Sequence, residues 1–235
     1  MKRIIVIIPT FNEAENIQKL VNSLLYEELD LLVVDDKSPD KTYELVQKMQ
    51  KVSKNVNLLI REKKQGLGSA YRDGFTFALS NNYEYIVQMD ADFSHSIDDL
   101  KKLIANKDSA DLIIGSRYVI GGSTNGWSRS RLTLSKTANK FANYMCNFKV
   151  NDSTSGFRVY SRNALVKNNF QSTTTDGYGF QVEMTYNTFK NNLKILEVPI
   201  TFYERRNGKS KMDILIIFEA IKLIFSLKFR NKSFL

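Results

Sequence analysis

The first half of the chain alternates short apolar runs with longer stretches in which apolar residues recur every three or four positions. The short runs are almost continuous in isoleucine, valine and leucine, which is typical of parallel strands covered by helices on both faces. They predict strands at 4–8, 31–34, 58–60, 85–89 and 112–115. The longer stretches predict helices at 12–26, 39–51, 67–81 and 97–105, the second with Ser38 as N-cap and Pro39 at its first position. This series predicts an α/β fold with a doubly wound, mainly parallel central sheet.

The second half has a more mixed pattern. It predicts helices at 130–147, 178–191 and 212–228, and strands at 156–160 and 194–203. In the last helix, Glu219, Lys222 and Ser226 share one narrow face, and most of the remaining circumference is apolar. Such a helix is buried, lies in a membrane interface or meets a membrane partner. We therefore predict one α/β domain over 1–211 and an amphipathic membrane-interface helix with a basic tail over 212–235.

Composition narrows the classes of partner and site. The 235 residues carry a formal net charge of +9, which indicates an acidic partner: nucleic acid, a phosphate-bearing substrate or an anionic membrane face. The single cysteine, Cys146, excludes an internal disulfide, and with only one histidine it also excludes a Cys/His zinc cluster. Its apolar surroundings predict that Cys146 packs in the core. The apolar run at 4–8 is shorter than a signal-peptide core, so we predict a cytoplasmic protein.

The polar residues that follow the predicted strands are the candidates for chemistry, because ligands bind at the carboxyl ends of strands in open α/β sheets. The segment after the first strand, 9–13, reads PTFNE and lacks the glycines of a dinucleotide fingerprint. Asp35 and Asp36 follow the second strand, and Asp90 and Asp92 follow the fourth. Two carboxylates two positions apart, such as Asp90 and Asp92, are suited to Mg²⁺ or Mn²⁺ bridging to substrate phosphates. A turn with two solvated aspartates gives the same pattern.

In this order, the motifs resemble those of the inverting GT-A glycosyltransferases of family 2. Further motifs resemble the polyprenol (dolichol) phosphate mannosyltransferases, and the likeness runs over about residues 3–225. These motifs are GSRY at 115–118, GG at 121–122, GW at 126–127, Arg131, Ser135, AN at 138–139, SGFR at 155–158, GYGFQVEM at 177–184 and RRNGKSKM at 205–212. The resemblance implies a GT-A fold and a nucleotide-sugar donor, with GDP-mannose as the leading expectation.

The resemblance also implies roles for residues on the donor side. Asp90 and Asp92 would hold the divalent metal, Mg²⁺ or Mn²⁺, on the donor diphosphate, and Asp92 is expected to be catalytic. Some relatives have a glutamine two positions beyond the second aspartate; Ser94 stands there in this chain, which puts a third protein ligand in doubt. The nucleotide-sugar is expected to bind Pro9, Thr10, Asn12, Glu13, Asp35, Asp36 and Asp90.

On the acceptor side, the resemblance implies a polyprenyl monophosphate that is held by basic side chains. The forked guanidinium of arginine suits two phosphate oxygens at once. A phosphate monoester is already largely dianionic near neutral pH, so we nominate no general base and expect one displacement with inversion. Arg117 and Arg131 are also expected to be catalytic. The expected phosphate-binding residues are Arg117, Arg131, Ser135, Arg205 and Lys211.

Several alternatives stay open at this stage. The same chemistry with UDP-glucose follows closely, because no residue that we can name distinguishes the sugar. A family 2 transferase acting on a sugar hydroxyl, as in surface polysaccharide assembly, is more distant because it needs a dedicated base. A basic nucleic-acid-binding module is disfavoured, since an acidic cluster at the site repels a polynucleotide, and we expect no nucleic-acid partner. A non-catalytic scaffold is disfavoured by the intact Asp90/Asp92 pair. We expect a peripheral protein on the cytoplasmic face of a membrane, with a separate membrane-embedded subunit as a possible partner.

Overall fold

The computed structural model describes residues 3–177, 179–204 and 222–228. Within these residues a seven-stranded sheet has the order β3-β2-β1-β4-β7-β5-β8. Neighbouring strands are parallel, except that β7 runs antiparallel to both β4 and β5. The strands are β1 Ile4–Thr10, β2 Asp30–Asp35, β3 Val56–Ile60, β4 Tyr85–Gln88, β5 Leu112–Ser116, β7 Arg158–Ser161 and β8 Ile195–Pro199. The predicted α/β fold with a mainly parallel sheet is confirmed.

Helices cover both faces of this sheet. They are α1 Ala14–Leu25, α2 Thr42–Val52, α3 Leu67–Ser80, α4 Ile97–Ala105, α5 Arg129–Cys146, α6 Arg162–Asn168, a 3-10 turn Phe170–Ser172 and α7 Gly179–Lys190. Alternation along β1 explains the two layers, because Ile5 and Ile7 belong to one hydrophobic cluster whereas Val6 and Ile8 belong to another. The first cluster includes residues of α3, α5 and α7, and the second includes residues of α1, α2 and α4. Cys146 is buried in the first, as predicted.

The predicted start of the second helix is wrong. That helix begins at Thr42, and Lys41, in a left-handed conformation, precedes it. Ser38 does not cap it, since its backbone N–H and its hydroxyl both donate to the Asp35 carboxylate, at 2.8 and 2.7 Å. A buried carboxylate 3 residues away along the chain therefore competes successfully for the side chain that sequence reasoning assigned to the helix.

The predicted strand at 194–203 is two strands in two different sheets. β8 ends at Pro199, and β9 Thr201–Tyr203 pairs in parallel with the short strand β6 Ser123–Asn125. Neither β6 nor the short helix α6 was predicted. The chain therefore leaves the main sheet after β8, and the β6–β9 pair joins the segment after β5 to the segment after β8.

The described part of the predicted C-terminal helix, residues 222–228, is helical. Leu223, Ile224 and Leu227 are buried and belong to the cluster that contains α3, α5 and α7. The Tyr186 hydroxyl donates to the Leu227 carbonyl at 3.1 Å, and Phe225 is 44% exposed. This segment therefore packs against the helices of that cluster. Within the parts of the chain that the structure covers, no helix combines the length and hydrophobicity needed to cross a membrane.

Candidate active site

The candidate site lies where the strand order reverses. β1 pairs with β2 on one side and with β4 on the other, and all three strands run in the same direction. Their carboxyl ends therefore meet at one edge of the sheet, which is the position of ligand sites in doubly wound folds. Pro9 and Thr10 at the end of β1 stand opposite Val34 and Asp35 of β2. The structure thus brings the predicted donor-side residues together.

Asp35 joins the loops that follow β1 and β2. Its side chain is fully buried, and one of its carboxylate oxygens accepts hydrogen bonds from Thr10 Oγ1 and from Ser38 Oγ, both at 2.7 Å. Ser38 Oγ in turn accepts from the Asn12 N–H at 3.0 Å, and Asn12 has a left-handed backbone with φ 64°. The helix after β1 therefore begins at Ala14 rather than at residue 12. Glu13, whose N–H donates to Thr42 Oγ1 at 3.0 Å, completes the junction.

Asp36 is held by Arg61, a residue that sequence reasoning missed. The two side chains approach to 3.1 Å, and both are largely buried. Burial raises the pKa of Asp36, although the positive charge of Arg61 acts in the opposite direction. Arg61 also contacts Asp73 at 3.1 Å and donates to Ser69 Oγ at 2.6 Å. Its place directly after β3 was the available signal, because the carboxyl end of β3 lies at the same edge of the sheet.

The aspartate pair after β4 sits at the same edge. Asp90 and Asp92 are both partly exposed, and Asp92 accepts from the Ser94 N–H at 3.1 Å across a turn in which Phe93 has φ 59°. His95 Nε2 lies 3.3 Å from an Asp90 oxygen, and its ring stacks on Phe157 with centroids 4.4 Å apart. The histidine therefore packs between the Phe157 ring and the Asp90 carboxylate.

The residues present fit a divalent cation shared with a substrate phosphate. In the described ranges no group of three or more His, Cys, Asp or Glu side chains is arranged to hold a metal by itself. Ser94, at the position of the glutamine in some relatives, is fully buried beside the pair. Two partly exposed carboxylates without a protein cage are the arrangement that Mg²⁺ adopts when waters and phosphate oxygens complete its shell.

Arg117 lies at the end of β5, in a buried ion pair that sequence reasoning did not foresee. Its backbone N–H, Nε and Nη2 donate to the Asp152 carboxylate at 2.9, 2.7 and 2.6 Å. The side chains are 8% and 0% exposed. Nη2 also donates to Thr154 Oγ1 at 2.9 Å. Asp152 therefore fixes the guanidinium and offsets its charge, and its place just before the SGFR motif was the only signal in the sequence.

Arg131 is more accessible and lies in the first turn of α5. Its guanidinium lies 4.0 Å from the centroid of the Trp127 ring, and its Nη1 donates to Glu204 at 3.0 Å. One helical turn further on, Ser135 accepts a hydrogen bond from the Tyr118 hydroxyl at 2.6 Å. Arg131 and Ser135 thus share one side of α5. Arg205 and Lys211, the other predicted phosphate ligands, lie outside the described residues.

Aromatic rings connect the aspartate pair to the arginines. The ring centroids of His95 and Phe202 are 5.5 Å apart, and those of Phe202 and Trp127 are 5.4 Å apart. Arg131 stacks on the far side of this series, and Arg117 lies 5.1 Å from the Trp127 ring. The acidic and basic halves of the site are therefore a few ring widths apart, held by β6, β9 and the start of α5.

A family model for glycosyl transferase family 2 matches residues 5–168, which include the sheet edge and the aspartate pair. The chain belongs to glycosyltransferase family 2. It is 41% identical over 224 residues to a polyprenol monophosphomannose synthase of Mycolicibacterium smegmatis, covering 94% of this chain and 84% of that protein. It is 40% identical over 221 residues to an undecaprenyl-phosphate mannosyltransferase of Micrococcus luteus, covering 93% and 91%.

Solved structures agree with this assignment at the level of the fold. A glucosyl-3-phosphoglycerate synthase from Mycobacterium tuberculosis, in complex with Mn²⁺, UDP-glucose and phosphoglyceric acid, is similar with a TM-score of 0.70 at 18% identity, covering 97% of this chain and 80% of that one. A mannosyltransferase from Pyrobaculum calidifontis in complex with GDP-mannose and Mn²⁺ has a TM-score of 0.59 at 15% identity, covering 98% and 64%. The family 2 chain therefore has the GT-A fold.

Proposed function

We propose that this family 2 transferase moves mannose from GDP-mannose to a polyprenyl monophosphate, giving polyprenyl phosphate mannose with inversion at the anomeric carbon. The observation that carries the proposal is the connection of the Asp90/Asp92 pair through three aromatic rings to Arg131. It brings an acidic pair suited to a divalent cation close to basic side chains. Two relatives at about the same identity support the lipid phosphate, since both are named as mannosyltransferases or synthases of this kind.

The donor is proposed to bind at the edge formed by β1, β2 and β4. Pro9, Thr10, Asn12, Glu13, Asp35 and Asp36 form or shape the nucleoside side of that edge. Asp35 acts through Thr10 and Ser38, because its oxygens already accept three hydrogen bonds. Asp90 and Asp92 are proposed to hold Mg²⁺ or Mn²⁺, and such an ion would offset the charge that develops on the departing nucleoside diphosphate. The two GT-A structures that contain Mn²⁺ support a divalent ion of this kind.

The acceptor phosphate is proposed to approach from α5. Arg131 offers a guanidinium that its exposed partner Glu204 releases at small cost, since partly exposed ion pairs contribute little. Arg117 adds its charge from a fixed position, and Ser135, Arg205 and Lys211 complete the proposed phosphate site. A phosphate oxygen attacks the anomeric carbon, a new carbon–oxygen bond forms, and the bond to the diphosphate breaks. No proton moves, so the chain needs no general base.

The membrane surface is proposed to supply the lipid. In segment 222–228, Leu223, Ile224 and Leu227 pack on the protein, whereas Lys222, Phe225 and Lys228 are exposed. The exposed side, with α5, is proposed to rest on the cytoplasmic face of the membrane, with or without a membrane-embedded subunit. Replacing Phe225 by serine should weaken binding to anionic vesicles several-fold without unfolding the protein, because the three buried anchors remain. Unchanged vesicle binding would refute this contact.

The function is tested with purified protein, a short polyprenyl phosphate and radiolabelled GDP-mannose or UDP-glucose offered in parallel. Label is followed into the organic phase with Mg²⁺, Mn²⁺ or EDTA. Metal-dependent transfer from GDP-mannose alone is the expected result. Transfer from UDP-glucose instead would mean that the proposed sugar is wrong and that the proposed acceptor is right. Transfer from neither, in vesicles that supply the lipid, would refute the phosphate acceptor.

A further inference from the structure

Polar side chains without hydrogen-bond partners are buried beside the aspartate pair. Gln88 at the end of β4, Tyr71 on α3 and Gln181 in the first turn of α7 are 0%, 0% and 2% exposed. In the described chain, both amide atoms of each glutamine and the Tyr71 hydroxyl lack a hydrogen-bond partner. Buried polar groups in native proteins are nearly always satisfied, so these atoms indicate a ligand or ordered water.

These three side chains share one face of the sheet. Alternation along β4 places Gln88 on the same face as Ile86, which belongs to the cluster that contains Tyr71 and Phe180. The Tyr71 and Phe180 rings stack with centroids 6.1 Å apart. Burial, and after it the negative charge of Asp90, raise the pKa of Tyr71 well above its ordinary value. The polar patch therefore lies close to the Asp90 carboxylate, below the sheet edge.

Gly156 lies between Asp90 and Gln181 and leaves room there for a small group. A Cβ atom added to Gly156 would lie 3.7 and 3.8 Å from the two Asp90 carboxylate oxygens and 3.9 Å from Gln181 Nε2. Its backbone is not in the left-handed region, and these distances are ordinary van der Waals contacts. The fold therefore does not require glycine at this position. The absence of a side chain at Gly156 leaves room in front of the Asp90 carboxylate and of the buried Gln181 amide, which has no hydrogen-bond partner among the described residues.

We propose that Gln181 recognises the sugar of the donor, with a hexose hydroxyl occupying the space above Gly156 and hydrogen-bonding to the Gln181 amide. The inference rests on the proposed function, which places the donor diphosphate at Asp90 and Asp92. A hydroxyl both donates and accepts, and an amide offers both partners. Among the three buried polar side chains, the structure sets Gln181 at the opening next to the Asp90 oxygens. Gln88 and Tyr71 are fully buried, and they suit ordered water behind the sugar.

The neutral amide is also the side chain that this location favours. A donor diphosphate and an acceptor phosphate meet beside Asp90, so a further carboxylate here would repel both. A leucine would fill a similar volume but would leave the sugar hydroxyl without a partner. An amide therefore combines recognition of a neutral sugar with tolerance of two nearby anions.

The test compares Gln181→Leu and Gly156→Ala with the wild-type chain. Gln171→Leu, on the exposed 3-10 turn, is the matched control for loss of an amide. Calorimetry measures binding of GDP and of GDP-mannose, and initial rates measure transfer from GDP-mannose and from its C2 epimer, GDP-glucose. We expect GDP affinity to stay within about twofold, and kcat/KM for GDP-mannose to fall about tenfold in Gln181→Leu, the scale of one hydrogen bond. In Gly156→Ala it should fall by at least about tenfold, because a methyl group occupies the sugar space.

A contact with the C2 hydroxyl would make the preference for mannose over glucose shrink in both variants, whereas a contact with a hydroxyl common to both sugars would lower transfer from both donors together. In either case the melting temperatures should match that of the wild type. Folded variants that keep wild-type kcat/KM, sugar preference and GDP-mannose affinity would overturn the role of Gln181. A wild-type protein that binds GDP-mannose but transfers nothing to polyprenyl phosphate would instead overturn the proposed acceptor. In that case the calorimetric comparison of GDP-mannose with GDP still decides the role of Gln181.

Discussion

The buried pair of Arg117 and Asp152 predicts a large loss of stability when one partner is neutralised. Asp152→Asn keeps the shape of the side chain but removes the charge that pairs with the Arg117 guanidinium, which is only 8% exposed. Three Arg117 N–H groups, 2.6 to 2.9 Å from the carboxylate, lose a charged acceptor. Breaking a buried pair by removing one partner costs about 3–5 kcal/mol, so we expect the free energy of unfolding to fall by that amount.

The matched control is Glu204→Gln, which neutralises the acidic partner of Arg131. That pair has one hydrogen bond of 3.0 Å, and its side chains are 19% and 45% exposed, so its loss should cost less than about 1 kcal/mol. Urea unfolding of the two variants measures the difference directly. Adding Arg117→Met to Asp152→Asn should recover part of the loss, because the buried positive charge is then removed as well. If Asp152→Asn is no more destabilising than Glu204→Gln, the reasoning about the buried pair is refuted.

Three further predictions concern the site and the core. Asp92→Asn should abolish metal-dependent transfer and keep the wild-type melting temperature. The control Asp98→Asn, at an exposed position of α4, should transfer normally. Wild-type turnover of Asp92→Asn would refute the metal assignment. Arg131→Met should raise KM for the lipid phosphate about tenfold or more, which is the scale of a charged hydrogen bond. The control Arg129→Met, at a neighbouring exposed position, should leave KM unchanged. Equal effects of the two variants would mean that only the total charge matters. Burial raises the pKa of Cys146 to about 11, so its thiol should resist thiol reagents at pH 8 until the protein is unfolded. The unfolded thiol ionises first, so the free energy of unfolding should decline between about pH 9 and 11, by at most about 3 kcal/mol, and that of Cys146→Ala should decline less.

The strands of the sheet were predictable from the sequence because of where they lie. β1, β2, β4 and β5 are buried on both faces, so nearly every residue in them is apolar and the run itself marks the strand. The aspartates after β2 and β4 were also predictable as site residues, since the chain direction of a parallel strand decides which edge its end reaches. The family motifs then supplied roles for residues that no periodicity distinguishes.

Local signals failed where a distant residue competed for the same group. Ser38 and Pro39 have the pattern of a helix start, but the buried Asp35 carboxylate takes the serine hydroxyl and N–H, and the helix begins at Thr42. The apolar pattern at 194–203 reads as one strand, yet pairing of β9 with β6 draws its second half into another sheet. In both places the winning interaction is tertiary, so its energy is absent from any short window of sequence.

By itself, the sequence determined the α/β class, the parallel sheet and the acidic edge, because burial and strand direction are written into local runs of residues. Only the tertiary structure decided what each charged side chain does. It paired Arg117 with Asp152, 35 residues away along the chain, and left Arg131 with a partly exposed partner. It also set the amide of Gln181 beside the space above Gly156. Such meetings depend on the packing of β5, α5, α7 and the loop before β7, which no local pattern encodes.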